Sequence, residues 1–329
     1  MSSERDLVWH YTDTAGLIGM AVHHTIWATG VAFFNDPGEQ NYAERILAEG
    51  IPGKALREAE LLAAPDYYSG FTNRYLFCAS MAENDLELWR GYGGDRVSQT
   101  FAVGLDPSVP LSVLAPGLPE RSKDHVRVTP WREVRYVDAA RAVAELKADF
   151  VPWYERLKLS MREAKSAARD NEDSASEIEH EYLSDVAERI EAERSRLNGT
   201  VKHPAYKAEQ EVRVSIDVEQ ADRFPHKIRQ GASGPVPYIE LTGIDDADRD
   251  WGVVGDRGRL PIEAVITPPG GGVTVVQGVC AALEAGGHAH DHQTPDVAVE
   301  SVERDQETGE TVFVYGRRVT VSRSAIPFV

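Results

Sequence analysis

Two carboxylates and a guanidinium stand at alternate positions in the stretch Lys202–Asp217, KHPAYKAEQEVRVSID. A strand sends successive side chains to opposite faces, so Glu209, Glu211 and Arg213 share one side and Val212, Val214 and Ile216 the other. The second set is a ready core face. Same-face neighbours on a strand lie about 7 Å apart, so one small substrate can touch both acids. An exposed strand face carrying an ion pair explains the same residues, and the stretch alone does not choose between the two.

Other groups stand ready elsewhere. His10-Tyr11 closes the first apolar run, LVWHY. A neutral imidazole donates from one nitrogen and accepts at the other, which suits a sugar hydroxyl as well as a structural partner. Trp27, Phe33 and Phe34 read as core more readily than as a stacking platform. Asn35-Asp36-Pro37-Gly38 is a turn, because Asn and Asp bond their own backbone while Pro and Gly supply the dihedrals. His288–His292, HAHDH, sets three imidazoles on alternate positions, a spacing that suits a metal on a strand. The run is expected in a loop between Gly287 and Pro295, so no metal is expected. Gly270-Gly271-Gly272 lacks the spacing of a phosphate loop. No serine has a nucleophile-elbow context, and neither cysteine has an electropositive one.

The hydrophobic periodicity supplies a frame for these groups. Leu7–Tyr11 reads as a strand, and Thr12 or Asp13 caps a short helix over Ala15–Val22. Thr25–Thr29 and Val31–Phe34 read as extended, followed by a helix from Glu39 to near Gly50. Asn73–Met81 is a buried strand, and a helix from Asp85 carries Leu86, Trp89 and Tyr92 on one face. Thr100–Leu105, Arg127–Val128 and Arg132–Val137 are further strands. Val143, Leu146, Phe150, Trp153, Leu157 and Met161 then recur at helical steps, with Pro152 expected to kink the run. A Ser176-x-x-Glu179 capping box opens a second helix through Ile178, Tyr182, Val186 and Ile190, stopping at Asn198-Gly199. Beyond the acidic strand, Val236–Leu241 and Ile262–Thr267 are strands and Thr274–Leu283 is a helix. Thr311–Val321 is an edge hairpin around Gly316. The order favours an α+β class, with one core made from 1–138 and 200–329 and a helical hairpin inserted at 139–199.

Composition narrows the class. The 329 residues are 42% hydrophobic and 27% charged, as in globular chains. Lys and Arg number 35 against 53 Asp and Glu, a balance of −18, so bulk DNA binding is not expected. Cys78 and Cys280 sit in apolar surroundings and are expected to be free thiols, which suits a reducing cytosol. No apolar run reaches about 18 residues, so no membrane partner is expected and the location is expected to be cytoplasmic.

Taken in order, several blocks resemble a large bacterial family known only as a domain of unknown function. They are His10-Tyr11-Thr12, Trp27-Ala28-Thr29, and Phe34-Asn35-Asp36-Pro37 with Glu39. Cys78, Ser80, Asp85, Leu88, Trp89, Tyr92 and Gly93 follow, then Lys202, Tyr206, Glu209, Glu211 and Arg213, and last Ser324, Ile326 and Pro327. That family is distantly similar to ADP-ribosyltransferases. The resemblance implies a split β-sheet core and NAD as cosubstrate without a metal. It places Glu211 as the catalytic acid and Glu209 as the group that orients the acceptor. Its cofactor-contacting positions are His10, Tyr11, Thr12, Trp27, Asn35, Ser80, Trp89, Tyr92 and Arg213. Arg213 can contact pyrophosphate or pair with one of the acids, and pairing is the preferred role. The acceptor stays open among a protein, a nucleic-acid base and a small molecule. An NAD-independent nucleotide-modifying enzyme and a noncatalytic nucleotide-sensing or defence module are the alternatives. A Glu211→Gln change is expected to abolish nicotinamide release with little effect on unfolding.

Overall fold

The computed structural model describes residues 6–33, 37–62, 74–93, 100–168, 172–218, 224–231, 234–244, 252–292, 303–304, 311–312 and 318–324. The Asn35-Asp36 turn and Ile326-Pro327 lie outside them.

The chain is α+β. Strand β1 (Val8–Asp13) leads into α1 (Thr14–Ala21), which starts where the Asp13 carboxylate accepts the Gly16 N–H at 2.8 Å. β2 (Ile26–Gly30) follows, and Val31–Phe33 forms a 3-10 turn instead of the expected extended segment. Helices α2 (Pro37–Gly50) and α3 (Gly53–Leu62) come next. α2 begins two residues before the expected Glu39, because proline is at home in a first helical turn, where its missing N–H leaves no bond unmade. After β3 (Arg74–Ser80), the Asp85 carboxylate accepts the N–H of Glu87 at 2.7 Å and of Leu88 at 3.3 Å, capping α4 (Leu86–Gly93).

β4 (Thr100–Leu105), β5 (Leu111–Leu114), the short α5 (Glu120–Lys123), β6 (Val126–Glu133) and β7 (Arg135–Tyr136) lead to two long helices. α6 (Ala139–Ala167) is capped by Asp138 and runs through Pro152 as one element. α7 (Glu172–Thr200) starts ahead of the expected capping box, so Ser176 lies inside it. β8 (Val201–Lys202), a 3-10 turn over Pro204–Glu209, β9 (Glu211–Val218), β10 (Lys227–Gly231), β11 (Gly234–Gly243) and β12 (Val253–Val254) follow. β13 (Ile262–Thr267), α8 (Val273–Ala285), β14 (Ala289–His292), β15 (Glu303–Arg304), β16 (Thr311–Val312) and β17 (Arg318–Arg323) complete the described chain.

Thirteen strands form one sheet, with the main path β12-β5-β11-β2-β3-β1-β4-β13-β17-β14. β3 is its fork. On one edge it pairs with β9 along its whole length, from Arg74↔Asp217 to Ser80↔Glu211. On the other edge β2 takes its start, through Tyr75 and Leu76, and β1 takes its end, through Trp9↔Ser80. Two expectations fail at the far side. Among the described residues, Thr311–Val312 and Arg318–Arg323 do not pair with each other as an edge hairpin: β17 lies between β13 and β14 with Val319 and Val321 buried, and β16 pairs with β15, while Gly316 lies outside the described residues. The histidine-rich run supplies β14, a strand and not a loop.

Among the described residues, two larger apolar clusters hold the layers together, and a smaller third, with Trp9, Tyr11, Leu88 and Trp89, packs α4 on the sheet. One lies among the strands, α1 and α8, and includes Val214, Ile216, Val265 and Leu283. The other joins α2 and α3 to the hairpin, with Ile46, Leu146, Phe150, Tyr182, Val186 and Ile190 in one cluster. The hairpin therefore shares its core with helices from an earlier stretch of chain. Its far end is tied to the sheet by guanidinium groups, which suit the carbonyl-rich end of a helix. Arg74 donates to the Ser195 carbonyl, and Arg213 to that of Asn198 at 2.7 Å.

Candidate functional site

β9 does not begin where simple alternation places it. Gln210 adopts a left-handed conformation, φ 43°, which ends the 3-10 turn and starts the strand one residue later. Glu209 therefore belongs to the turn and only Glu211 to the strand. The shared strand face is corrected accordingly, because a left-handed residue breaks the period of two. What brings the acids together is Lys202, whose ammonium lies 2.5 Å from Glu209 Oε2 and 3.0 Å from Glu211 Oε2. It also sits 4.8 Å from the centre of the Tyr206 ring.

Arg213 is buried and grips Glu211 with both prongs, Nε to Oε1 at 2.7 Å and Nη2 to Oε2 at 2.8 Å. A guanidinium matched to a carboxylate in this way is the strong, directional form of the pair. With Nη1 on the Asn198 carbonyl, the side chain takes the pairing role expected of it, joining Glu211 to the end of α7. Burial pushes the Glu211 carboxyl up, yet Arg213, Lys202 and the Cys78 thiol outweigh it and hold the group at about 2. Glu211 is an anion at every physiological pH. Glu209 is the more accessible acid, its side chain 28% exposed against 6% for Glu211. Ser80 anchors the turn between them, donating to the Glu209 carbonyl at 2.6 Å and accepting from the Ala82 N–H at 2.9 Å. The Glu211 N–H donates to the Tyr136 hydroxyl at 2.7 Å.

From the other side of the fork, His10 Nδ1 lies 2.9 Å from the Cys78 carbonyl, with its ring 4.7 Å from that of Phe77. A carbonyl only accepts, so Nδ1 carries the proton. Burial lowers the imidazole below its usual value, against the opposing pull of that carbonyl. The ring is neutral, and Nε2 is its acceptor. Tyr11 is committed: its hydroxyl donates toward the Ala82 and Glu83 carbonyls and accepts the Asp85 N–H at 3.1 Å, and burial pushes it up to about 12. Trp89, fully buried, stands edge-on to Tyr11 at 5.2 Å and donates its indole N–H to Asn84 at 2.8 Å.

His10, Tyr11, Cys78, Ser80, Tyr92, Glu209 and Glu211 line one hollow, together with Trp9, Ala79 and Leu88. It leaves about 10 Å³ for the centre of a water-sized body, the room that a single water needs. Tyr92 lies at its border, 54% exposed and stacked on Tyr11 at 6.2 Å. The remaining expected residues stand apart. Trp89 backs Tyr11 without lining the space. Trp27 lies exposed on β2 against Tyr238, with ring centres 4.9 Å apart. Thr12 packs over the start of α1, where a Cβ at Gly16 would meet its hydroxyl at 1.9 Å. Asn35 lies outside the described residues. Among those residues no group of three potential ligands could hold a metal ion, and no helix is long and apolar enough to cross a membrane.

Lys202 and Cys78 are the residues that gained a place here without one expected from spacing. A signal for the lysine was available in charge: two acids and one arginine on a buried strand leave a carboxylate uncompensated, which a second cation must balance. Comparison with protein-family models, with curated proteins and with solved structures found no match.

Proposed function

We propose that the chain is an ADP-ribosyltransferase-like enzyme that uses NAD as a cosubstrate and passes ADP-ribose to an acceptor or to water. The observation that carries the reading is the meeting of His10, Glu209 and Glu211 around one hollow at the fork of the sheet. A neutral imidazole with Nε2 free to accept matches a ribose hydroxyl. Glu211, fixed and always ionised, faces the oxocarbenium character that builds on the ribose as the bond to nicotinamide breaks. Nicotinamide leaves as a neutral molecule, so the step needs no acid to protonate it. Glu209, more accessible, takes the proton of the attacking hydroxyl. A nicotinamide ring exceeds the space present, so Tyr92 has to swing from the border. The described lining holds no arginine or lysine, which leaves the pyrophosphate beyond the hollow.

Calorimetric titration with NAD, followed by a nicotinamide assay on the same sample, tests the proposal. Binding with release of nicotinamide supports it. No heat at millimolar NAD removes it in favour of an NAD-independent nucleotide enzyme. The tightness of the hollow and the pairing of both acids with cations favour one second reading, a noncatalytic nucleotide-sensing module, for which NAD binds and nicotinamide is never released.

A further inference from the structure

We propose that Lys202 is a positioning residue that holds Glu209 over the hollow as a charged base. The inference rests on the reading of this site as an ADP-ribosyl-transfer centre. Glu209 lies in a 3-10 turn, so no strand register fixes its carboxylate. Glu211 is gripped by Arg213, whereas Lys202 spans both acids from β8, which pairs with β7 through Tyr136↔Lys202. The ammonium is buried, and Tyr206 flanks it. An ammonium already carries its full complement of protons, so it donates to the acid and cannot compete with it as a base.

In the step itself, the acceptor oxygen bonds to the ribose C1′ while the C1′–nitrogen bond breaks and its electron pair leaves with nicotinamide. The acceptor's proton passes to Glu209. The ammonium keeps that carboxylate ionised before the step and remains beside Glu211 after it. The other titratable groups around the pair are Glu211 and Arg213 on β9, Tyr136 on β7, Cys78 on β3, Tyr92 on α4, Tyr206 beside the ammonium, and His10 and Tyr11 of β1 across the hollow. Desolvation around the hydroxyls raises Tyr92 and Tyr136, although the Tyr92 side chain as a whole is half exposed, and both stay neutral at working pH. Lys202 is thus the cation whose removal most directly changes the charge felt by Glu209.

The test compares wild type, Lys202→Met, Lys202→Arg, Glu209→Gln and the Lys202→Met/Glu209→Gln pair, all as full chains. Lys202→Met is expected to bind NAD within threefold of wild type and to move the acidic limb of the single-turnover pH profile up by about one unit or more, as loss of a neighbouring opposite charge does. Lys202→Arg is expected to restore the limb. Once Glu209 is Gln, Lys202→Met is expected to cost less than threefold more in rate, since it acts through that acid. A uniform rate loss with the limb unmoved, or equal losses in both backgrounds, overturns the proposal. Should wild type release no nicotinamide, the transfer reading fails separately. Carbon-13 NMR of labelled glutamate then decides the role of Lys202, with the Glu209 signal identified by its loss in Glu209→Gln. That signal must titrate at least about one unit higher in Lys202→Met; coincident curves sink the inference. If Lys202→Met fails to fold, the charge-balanced double variant and Lys202→Gln carry the same comparison.

Discussion

Glu211 shows how far one residue's surroundings can reverse a simple expectation. Its carboxylate neutralises two buried cations, Arg213 and Lys202. Glu211→Gln therefore leaves positive charge uncompensated in the interior, a change that costs about 3–5 kcal/mol when a buried pair loses one partner. The variant is expected to melt well below wild type, contrary to the undisturbed unfolding that the sequence suggested. Urea titration of both proteins at neutral pH checks this. The sign with pH follows from the lowered carboxyl. Glu211 has a folded value of about 2 against the ordinary 4.5, so the unfolded chain binds the proton more readily between them. Its contribution is complete above the ordinary carboxyl value and is lost as pH falls toward 2. The stability difference between wild type and Glu211→Gln is expected to shrink across that interval; a difference that stays constant down to pH 2 contradicts the pairing.

A buried imidazole acts in the same direction at higher pH. His288 packs 4.9 Å from His24, lies 3.4 Å from Arg259 Nε, and is held at about 4, chiefly by burial and then by Arg259 and His24. Its folded value lies below the ordinary 6.5, so the stability it contributes is present above 6.5 and is lost as pH falls toward 4. His288→Gln is expected to flatten the pH dependence of urea stability between those values. An unchanged slope denies the neutral, buried state.

Among the elements, the turn between Glu209 and Glu211 decides the geometry of the site. Gln210 carries a side chain at φ 43°, a region that costs most residues about 1 kcal/mol and glycine nothing. Gln210→Gly is expected to stabilise the fold by up to about 1 kcal/mol, while Gln210→Val is expected to destabilise it. If valine is tolerated as well as glycine, the turn is not built as described. This element also marks where the sequence stops being legible. The period of two correctly puts Val212, Val214 and Ile216 on a core face, because every strand residue obeys the same pleat. It misplaces Glu209, since one left-handed residue leaves no trace in a hydrophobic pattern. Helical spacing likewise finds Val143, Leu146 and Phe150, whose burial repeats every turn. The start of α7 escapes it because the Ser176-x-x-Glu179 spacing matches a capping box, whereas the helix already begins at Glu172. Lys202 was visible only as a charge, since its partners lie seven and nine positions on, across a turn with no simple period.

At the scale of the molecule, the helical layer and the site are one construction. Tyr182, Val186 and Ile190 of α7 complete the cluster with α2 and α3, and the end of the same helix receives Arg74 and Arg213 from the sheet. Deleting residues 165–195 is expected to abolish cooperative unfolding, whereas an independent arm would leave the transition intact. The fork at β3 then sets β1 and β9 on opposite edges of one strand, and from those edges His10 and Glu211 reach the same hollow. The central claim is that this meeting point breaks the bond between ribose and nicotinamide. Its most direct test is nicotinamide release from NAD by wild type and by Glu209→Gln, measured side by side in samples of equal thermal stability. The account predicts release by wild type and a loss of at least about 100-fold in the variant, the scale of a general base; equal release by the two proteins, or none by wild type, contradicts it.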